Sequence, residues 1–244
     1  MHDNDNRGAP SRFPAVMLPE DRIRRESPNS IVLTVILVEY VQHREAAMGL
    51  IPRRRNRVPA HLERRQRDAL RLLDTGSNSS AELALTELSI DAEDQIGPEH
   101  PFTITVIDTI GTACYQQRKF PTSARWHREA YHRAIAALGP EHPLTLGAGH
   151  NLGAALVLMH QWTEGVPLLL TVLEGKKKAL GSEHPDTLDT AQAVGAALFK
   201  SGDAQSALFI LDQAYQTALR AYGSDDPTVL DLRHNLDVVL RNAH

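Results

Sequence analysis

The stretch Leu138-Gly-Pro-Glu-His-Pro-Leu-Thr-Leu146 decides the fold, because its central motif Gly-Pro-Glu-His-Pro returns at a constant interval. The motif opens at Gly97 and at Gly139, and it returns as Gly-Ser-Glu-His-Pro at Gly181 and as Gly-Ser-Asp-Asp-Pro at Gly223. Each interval is 42 residues. A constant interval of this size indicates one supersecondary unit repeated in tandem, in which neighbouring units bury each other's apolar faces.

Each unit contains two helical patterns. After Gly139, the apolar spacing predicts a first helix over 144–159, a polar turn at 161–164 and a second helix over 166–180. Gly181 then ends the second helix, since glycine enters the left-handed backbone conformation without strain. The neighbouring units repeat this plan, which predicts an all-α chain of helical hairpins.

Small residues recur at two positions of the unit, where they allow the two helices of a hairpin to approach closely. A larger apolar position holds Leu169 and Leu211 in two units but His127 in the first, for which a core histidine is the expected explanation. The small residues are Gly111, Gly153 and Gly195 in the first helix, and Ser123, Gly165 and Ala207 in the second.

The repeat frame divides the chain into six parts. They are an N-terminal arm with an apolar segment at 1–54, partly disordered; a degenerate repeat at 55–96; full repeats at 97–138, 139–180 and 181–222; and a C-terminal capping helix at 223–244.

The motif Leu138 to Leu146, the following Asn151-Leu152-Gly153 and the length of the unit resemble the kinesin-light-chain-like class of tetratricopeptide repeats. The resemblance covers residues 97–244 well, 55–96 weakly and 1–54 not at all. It implies a right-handed solenoid of helical hairpins whose first helices line a concave groove. It also implies a non-catalytic adaptor or regulator that binds a peptide or a partner helix in that groove.

The resemblance further implies which side chains face the groove. Asn151 and Asn235 match a recurrent asparagine of the family, whose amide can donate to and accept from a peptide backbone. Thr109 and Ala193 interrupt that series. The groove positions are Thr105, Asp108, Thr112, Tyr115, Gln116, His150, Asn151, Ala154, Asp189, Gln192, Lys200, Asp231, His234 and Asn235.

The recurring histidines His100, His142 and His184 are not a metal site in this interpretation. Equivalent positions of neighbouring units lie roughly 10 Å apart, which is too far for one ion to bind two of them. We expect each to stiffen its turn. The sequence also lacks a Gly-rich phosphate loop, a His-Glu-x-x-His motif and paired cysteines. It therefore predicts no cofactor, no metal and no enzyme activity, with an accessory domain of an enzyme system as an alternative.

The N-terminal third is basic, whereas the rest of the chain is acidic. Residues 1–70 hold 13 Arg and no Lys against nine acidic residues. A basic arm of this kind can occupy the acidic body's groove or contact nucleic acid, the second being the less favoured alternative. The anionic contact would use Arg53, Arg54, Arg55, Arg57, Arg64, Arg65 and Arg67.

The remaining features predict a soluble, cytoplasmic protein. The apolar run at 31–38 is too short to span a bilayer, and no signal peptide precedes it. The apolar segment at 31–50 is instead a candidate homodimer surface. Cys114 is the only cysteine and lies among apolar helix positions, where a buried thiol is expected rather than a nucleophile.

Overall fold

A computed structural model describes residues 57–242. The predictions for the arm at 1–54, for the apolar segment at 31–50 and for Arg53, Arg54 and Arg55 lie outside the described residues. Residues 57–242 form nine α-helices without a strand, which confirms the all-α prediction. The helices are α1 Ala60–Asp74, α2 Asn78–Ile96, α3 Pro101–Gln116, α4 Phe120–Leu138, α5 Pro143–Leu158, α6 Trp162–Leu180, α7 Pro185–Lys200, α8 Ala204–Tyr222 and α9 Pro227–Asn242.

The helices form a solenoid of hairpins. Each helix packs against its neighbours in sequence, and the first helices α3, α5, α7 and α9 also contact one another in series. The pair α1–α2 occupies the region of the degenerate repeat. Ala69, Ala81 and Leu85 are buried there, and they lie 42 residues before Gly111, Ser123 and His127. The core is therefore continuous along the stack, because every unit buries its apolar side chains against the next.

The two helices of a hairpin cross at the glycine that the sequence singles out. A Cβ atom placed on Gly153 would lie 2.6 Å from Leu169 Cγ, and one on Gly195 would lie 2.5 Å from Leu211 Cγ. Contacts below 3.0 Å do not occur without displacement. Glycine at this position thus allows a leucine of the second helix to pack directly on the backbone of the first.

The predicted turn at 161–164 is wrong in its extent, because the second helix begins earlier than residue 166. Helix α6 begins at Trp162, and the carbonyl of Gln161 already accepts a helical hydrogen bond from the N–H of Gly165. The reversal needs only the three residues 159–161, since His160 takes a φ of 59°. The first turn of a helix leaves its backbone N–H groups without an acceptor inside the helix, so polar residues are common there. In the sequence such a polar first turn looks like a loop.

The recurring histidines are N-caps of the first helices. The Nδ1 atoms of His100, His142 and His184 accept hydrogen bonds from the backbone N–H two residues later, at 3.1, 3.1 and 3.2 Å. Asp226 does the same through Oδ1 at 2.8 Å, which explains why an aspartate replaces histidine in the fourth motif. The following proline lacks an N–H and so suits the first helical position.

The glycine that ends each second helix adopts a different conformation from the left-handed one that the sequence predicts. Gly181 has φ 96° and ψ 158°, and Gly97, Gly139 and Gly223 have similar values. This region of the backbone map is almost restricted to glycine. No atom lies within 4 Å of a Cβ placed on Gly181, so the backbone conformation and not space requires glycine.

The outer side of α1 is charged at two positions that are apolar in α3. Arg64 and Arg71 occupy the positions of Val106 and Ala113, which α3 buries against the preceding unit. Both arginines are exposed. The stack therefore presents charge at this end.

Replacing Gly181 by alanine should lower the free energy of unfolding by about 1–3 kcal/mol, because alanine is strained at this φ and ψ. Gly147 is the control: it lies within α5, and nothing approaches its Cβ position within 4 Å. Gly147→Ala should raise stability by up to about 1 kcal/mol through helix propensity. Urea denaturation followed by circular dichroism measures both. Equal effects of the two substitutions would refute the conformational argument.

The thiol of Cys114 is fully buried, as the sequence predicts. Burial, together with the nearby Glu82 carboxylate, raises its pKa to about 12. The thiolate is the reactive form, so the native protein should react with a disulfide reagent about a thousandfold more slowly than an ordinary thiol. Absorbance after addition of the reagent, in native buffer and in denaturant, tests this. Rapid stoichiometric reaction of the native protein would contradict it.

Candidate functional site

The predicted groove residues lie on the four first helices α3, α5, α7 and α9, and they differ in accessibility. Thr105, Asp108, Ala154, Gln192 and Asn235 are buried. Thr112, Tyr115, Gln116, His150, Asn151, Asp189 and Asp231 are half-buried, whereas Lys200 and His234 are exposed. Sequence reasoning predicts the helix face on which these residues lie but not which side chains the neighbouring units cover.

A buried polar cluster lies between the first and second full repeats. Asp108 Oδ1 lies 2.6 Å from His127 Nδ1, and Asp108 Oδ2 accepts a hydrogen bond of 2.9 Å from Asn151 Nδ2. The side chains of Asp108 and His127 are only 10% and 2% exposed. His127 takes the place of Leu169 and Leu211 and packs on Gly111. The Asp108 carboxylate therefore links α3 to α4 through His127, and to α5 of the next unit through Asn151.

Polar side chains also join the later units. His150 Nδ1 lies 3.1 Å from Thr190 Oγ1, and its Nε2 lies 3.5 Å from Asp189 Oδ2. In the next unit, Asn235 Nδ2 donates to Gln192 Oε1 at 3.1 Å.

We call this series the inter-unit ladder, because each contact starts from the same repeat position, 42 residues apart. Its contacts are Asp108–Asn151, His150–Thr190 and Gln192–Asn235. Asn151 and Asn235 are predicted to bind a peptide through their side-chain amides. Each of these amides already donates one N–H to a side chain of the preceding unit.

A buried lysine lies beside the ladder. Lys176 replaces the alanines at positions 134 and 218, and its Nζ donates to the Asp186 carbonyl at 3.3 Å. Burial lowers the pKa of Lys176, while the carboxylates of Asp189 and Asp186 act in the opposite direction. Alignment of the units could have identified this residue, because a lysine at an otherwise alanine position breaks the pattern.

The hydroxyl groups on the groove face of α3 are already engaged. Thr105, Thr109 and Thr112 each donate to the carbonyl four residues earlier, at 2.8, 2.7 and 3.4 Å. Their oxygens can still accept hydrogen bonds.

The arginines predicted to contact an anion separate into two groups within the described residues. Arg57, Arg64 and Arg67 are exposed on or just before α1. Arg65 is paired with Asp91 of α2. An anionic contact through this stretch stays a prediction.

Residues 57–242 do not meet the requirements of a three-ligand metal site or of a membrane-spanning helix. This part of the chain contains no group of three or more His, Cys, Asp or Glu side chains placed to hold a metal ion. None of its helices is long and apolar enough to cross a bilayer.

The pairing of Asp108 with His127 predicts a strong coupling between them. His127→Leu alone leaves Asp108 buried without its main partner and should destabilise the protein by about 3 kcal/mol. Asp108→Gln with His127→Leu recreates the combination found at Gln192 and Leu211, and it should recover most of that loss. A double-mutant cycle from urea denaturation measures the coupling. Additive effects of the two substitutions would exclude it.

Comparisons with known proteins agree with this architecture. Tetratricopeptide repeat models match residues 103–144 and 144–220. A protein of Podosopora anserina described as a kinesin light chain with nearly identical TPR-like repeats is 23% identical, with a TM-score of 0.69 over 76% of this chain and 88% of that chain. BtubC (BKLC) from P. vanneervenii is 14% identical, with a TM-score of 0.67 over 89% of this chain and 83% of that chain. No curated protein is a significant match.

Proposed function

Because the chain is a tetratricopeptide-repeat protein with units of the kinesin-light-chain-like class, we propose that it is a non-catalytic interaction module. Its ligand is an extended peptide or a partner helix that lies in the groove of first helices. The supporting observation is a row of polar side chains on one face of four consecutive first helices.

The accessible part of the groove selects for a particular ligand charge. Asp189 and Asp231 supply two carboxylates, and Lys200 supplies one ammonium group. Residues 71–244 as a whole hold 21 acidic against 13 basic residues. A peptide with lysine or arginine among polar residues is therefore favoured over an acidic one.

Selection from a phage-displayed library of random peptides tests the proposal, followed by fluorescence anisotropy with the enriched sequences. The variant Gln116→Ala/Lys200→Ala/Asp231→Ala removes three accessible groove side chains from three units. It should weaken binding by about 10-fold or more, since each lost polar contact is worth about 0.5 kcal/mol or more.

The matched control is Gln216→Ala/Arg220→Ala/Asp212→Ala, which removes the same types of side chain from the exposed face of α8. This control should bind as tightly as the wild type. If the groove variant binds the enriched peptides with unchanged affinity, or if both variants lose affinity equally, the groove is not the binding site.

A further inference from the structure

Helix α9 presents to solvent the face that the preceding first helices bury against their own second helices. Leu230 and Leu240 are 48% and 49% exposed, whereas the equivalent Leu188 and Leu198 are 1% and 7% exposed. We call this surface the α9 face. It consists of Leu230, Arg233, Asp237 and Leu240, at the positions of Leu188, Ala191, Gly195 and Leu198.

The residues of the α9 face exclude the hairpin packing seen in the other units. Asp237 occupies the position of Gly153 and Gly195, where even a Cβ atom would collide with the crossing leucine. Arg233 occupies the position of Gly149 and Ala191. A second helix with a crossing leucine therefore does not fit against this face of α9. The face suits a partner that supplies charged side chains opposite Arg233 and Asp237.

The α9 face is complementary to itself. Its residues are spaced by three, four and three, as in the a and d positions of a coiled coil. The spacing is symmetric about Asn235, with a leucine at each end and an arginine and an aspartate inside. Arg233 is exposed and Asp237 half-buried, and neither forms an ion pair among residues 57–242.

The order of the charges selects the orientation of the partner. In an antiparallel pair of α9 helices, Leu230 of one copy lies opposite Leu240 of the other, and Arg233 lies opposite Asp237. A parallel pair would bring Arg233 against Arg233 and Asp237 against Asp237, which is repulsive.

We propose that a second copy of this chain docks antiparallel on the α9 face. The two-fold axis crosses the α9 face at the level of residue 235, midway between Arg233 and Asp237, and the interface contains two leucine pairs and two Arg233–Asp237 pairs. An isologous contact of this type closes with two copies. The four residues of this surface are not among the predicted groove residues, so it can form whether or not the groove binds a peptide.

Charge inversion tests the proposal on the full chain, by sedimentation equilibrium over a range of protein concentrations. Arg233→Asp creates two Asp–Asp pairs, and Asp237→Arg creates two Arg–Arg pairs. Each should weaken dimerisation by about 30-fold or more, because like charges then face each other. The double variant Arg233→Asp/Asp237→Arg restores opposite charges, and its dimerisation should return to within about threefold of the wild type.

Mixing the two single variants gives a second and independent test. One variant then supplies two aspartates and the other two arginines, so the mixture should form a heterodimer more tightly than either variant forms a homodimer. Circular dichroism checks that all variants fold, which is expected since Arg233 is exposed and Asp237 half-buried. Leu83→Ala, on the exposed face of α2, is the control and should leave dimerisation unchanged.

Three results would overturn the proposal. The first is a wild type that remains monomeric at all concentrations, which would leave the α9 face to a different protein. The second is a dimer that the single inversions do not weaken, which would place the contact elsewhere, for example in residues 31–50. The third is a charge-swapped double variant that stays monomeric.

Discussion

The crossing of two helices at a glycine sets the geometry on which the rest of the structure depends. Leu169 packs on Gly153 and Leu211 packs on Gly195. The contact between the leucine side chain of the second helix and the glycine backbone of the first helix therefore sets the distance between the two helices of a hairpin. Units with the same internal distance stack in the same way, which places equivalent side chains in a row. The row of polar side chains on the first helices and the inter-unit ladder are both consequences of this regular spacing.

The first full repeat keeps that geometry with different chemistry. His127 fills the leucine position, and its ring needs a hydrogen-bonding partner in the core, which Asp108 supplies. The same carboxylate binds Asn151 in the next unit. A change at one core position therefore reaches the neighbouring unit through a single side chain, and side chains that are predicted to line the groove also hold the units together.

Much of the fold could be predicted from the sequence, because the 42-residue interval brings equivalent positions into register. The crossing glycines, the hairpins and the proline that begins each first helix follow from that register. The helix starts were misjudged, since polar residues suit both a turn and a first helical turn. The pairing of Asp108 with His127 was missed, because contacts between side chains 19 residues apart depend on how two helices cross. For the groove, the register predicts a face of the first helices, whereas burial by neighbouring units decides which side chains on that face are accessible.

The charged outer side of α1 has a consequence for growth by addition of copies. A stack of repeats whose two ends matched would add copies head to tail and polymerise into filaments. Arg64 and Arg71 oppose such addition, because the apolar residues at their positions in α3 are what a preceding unit packs against. Within residues 57–242, growth of the stack by copies packed before α1 is therefore disfavoured.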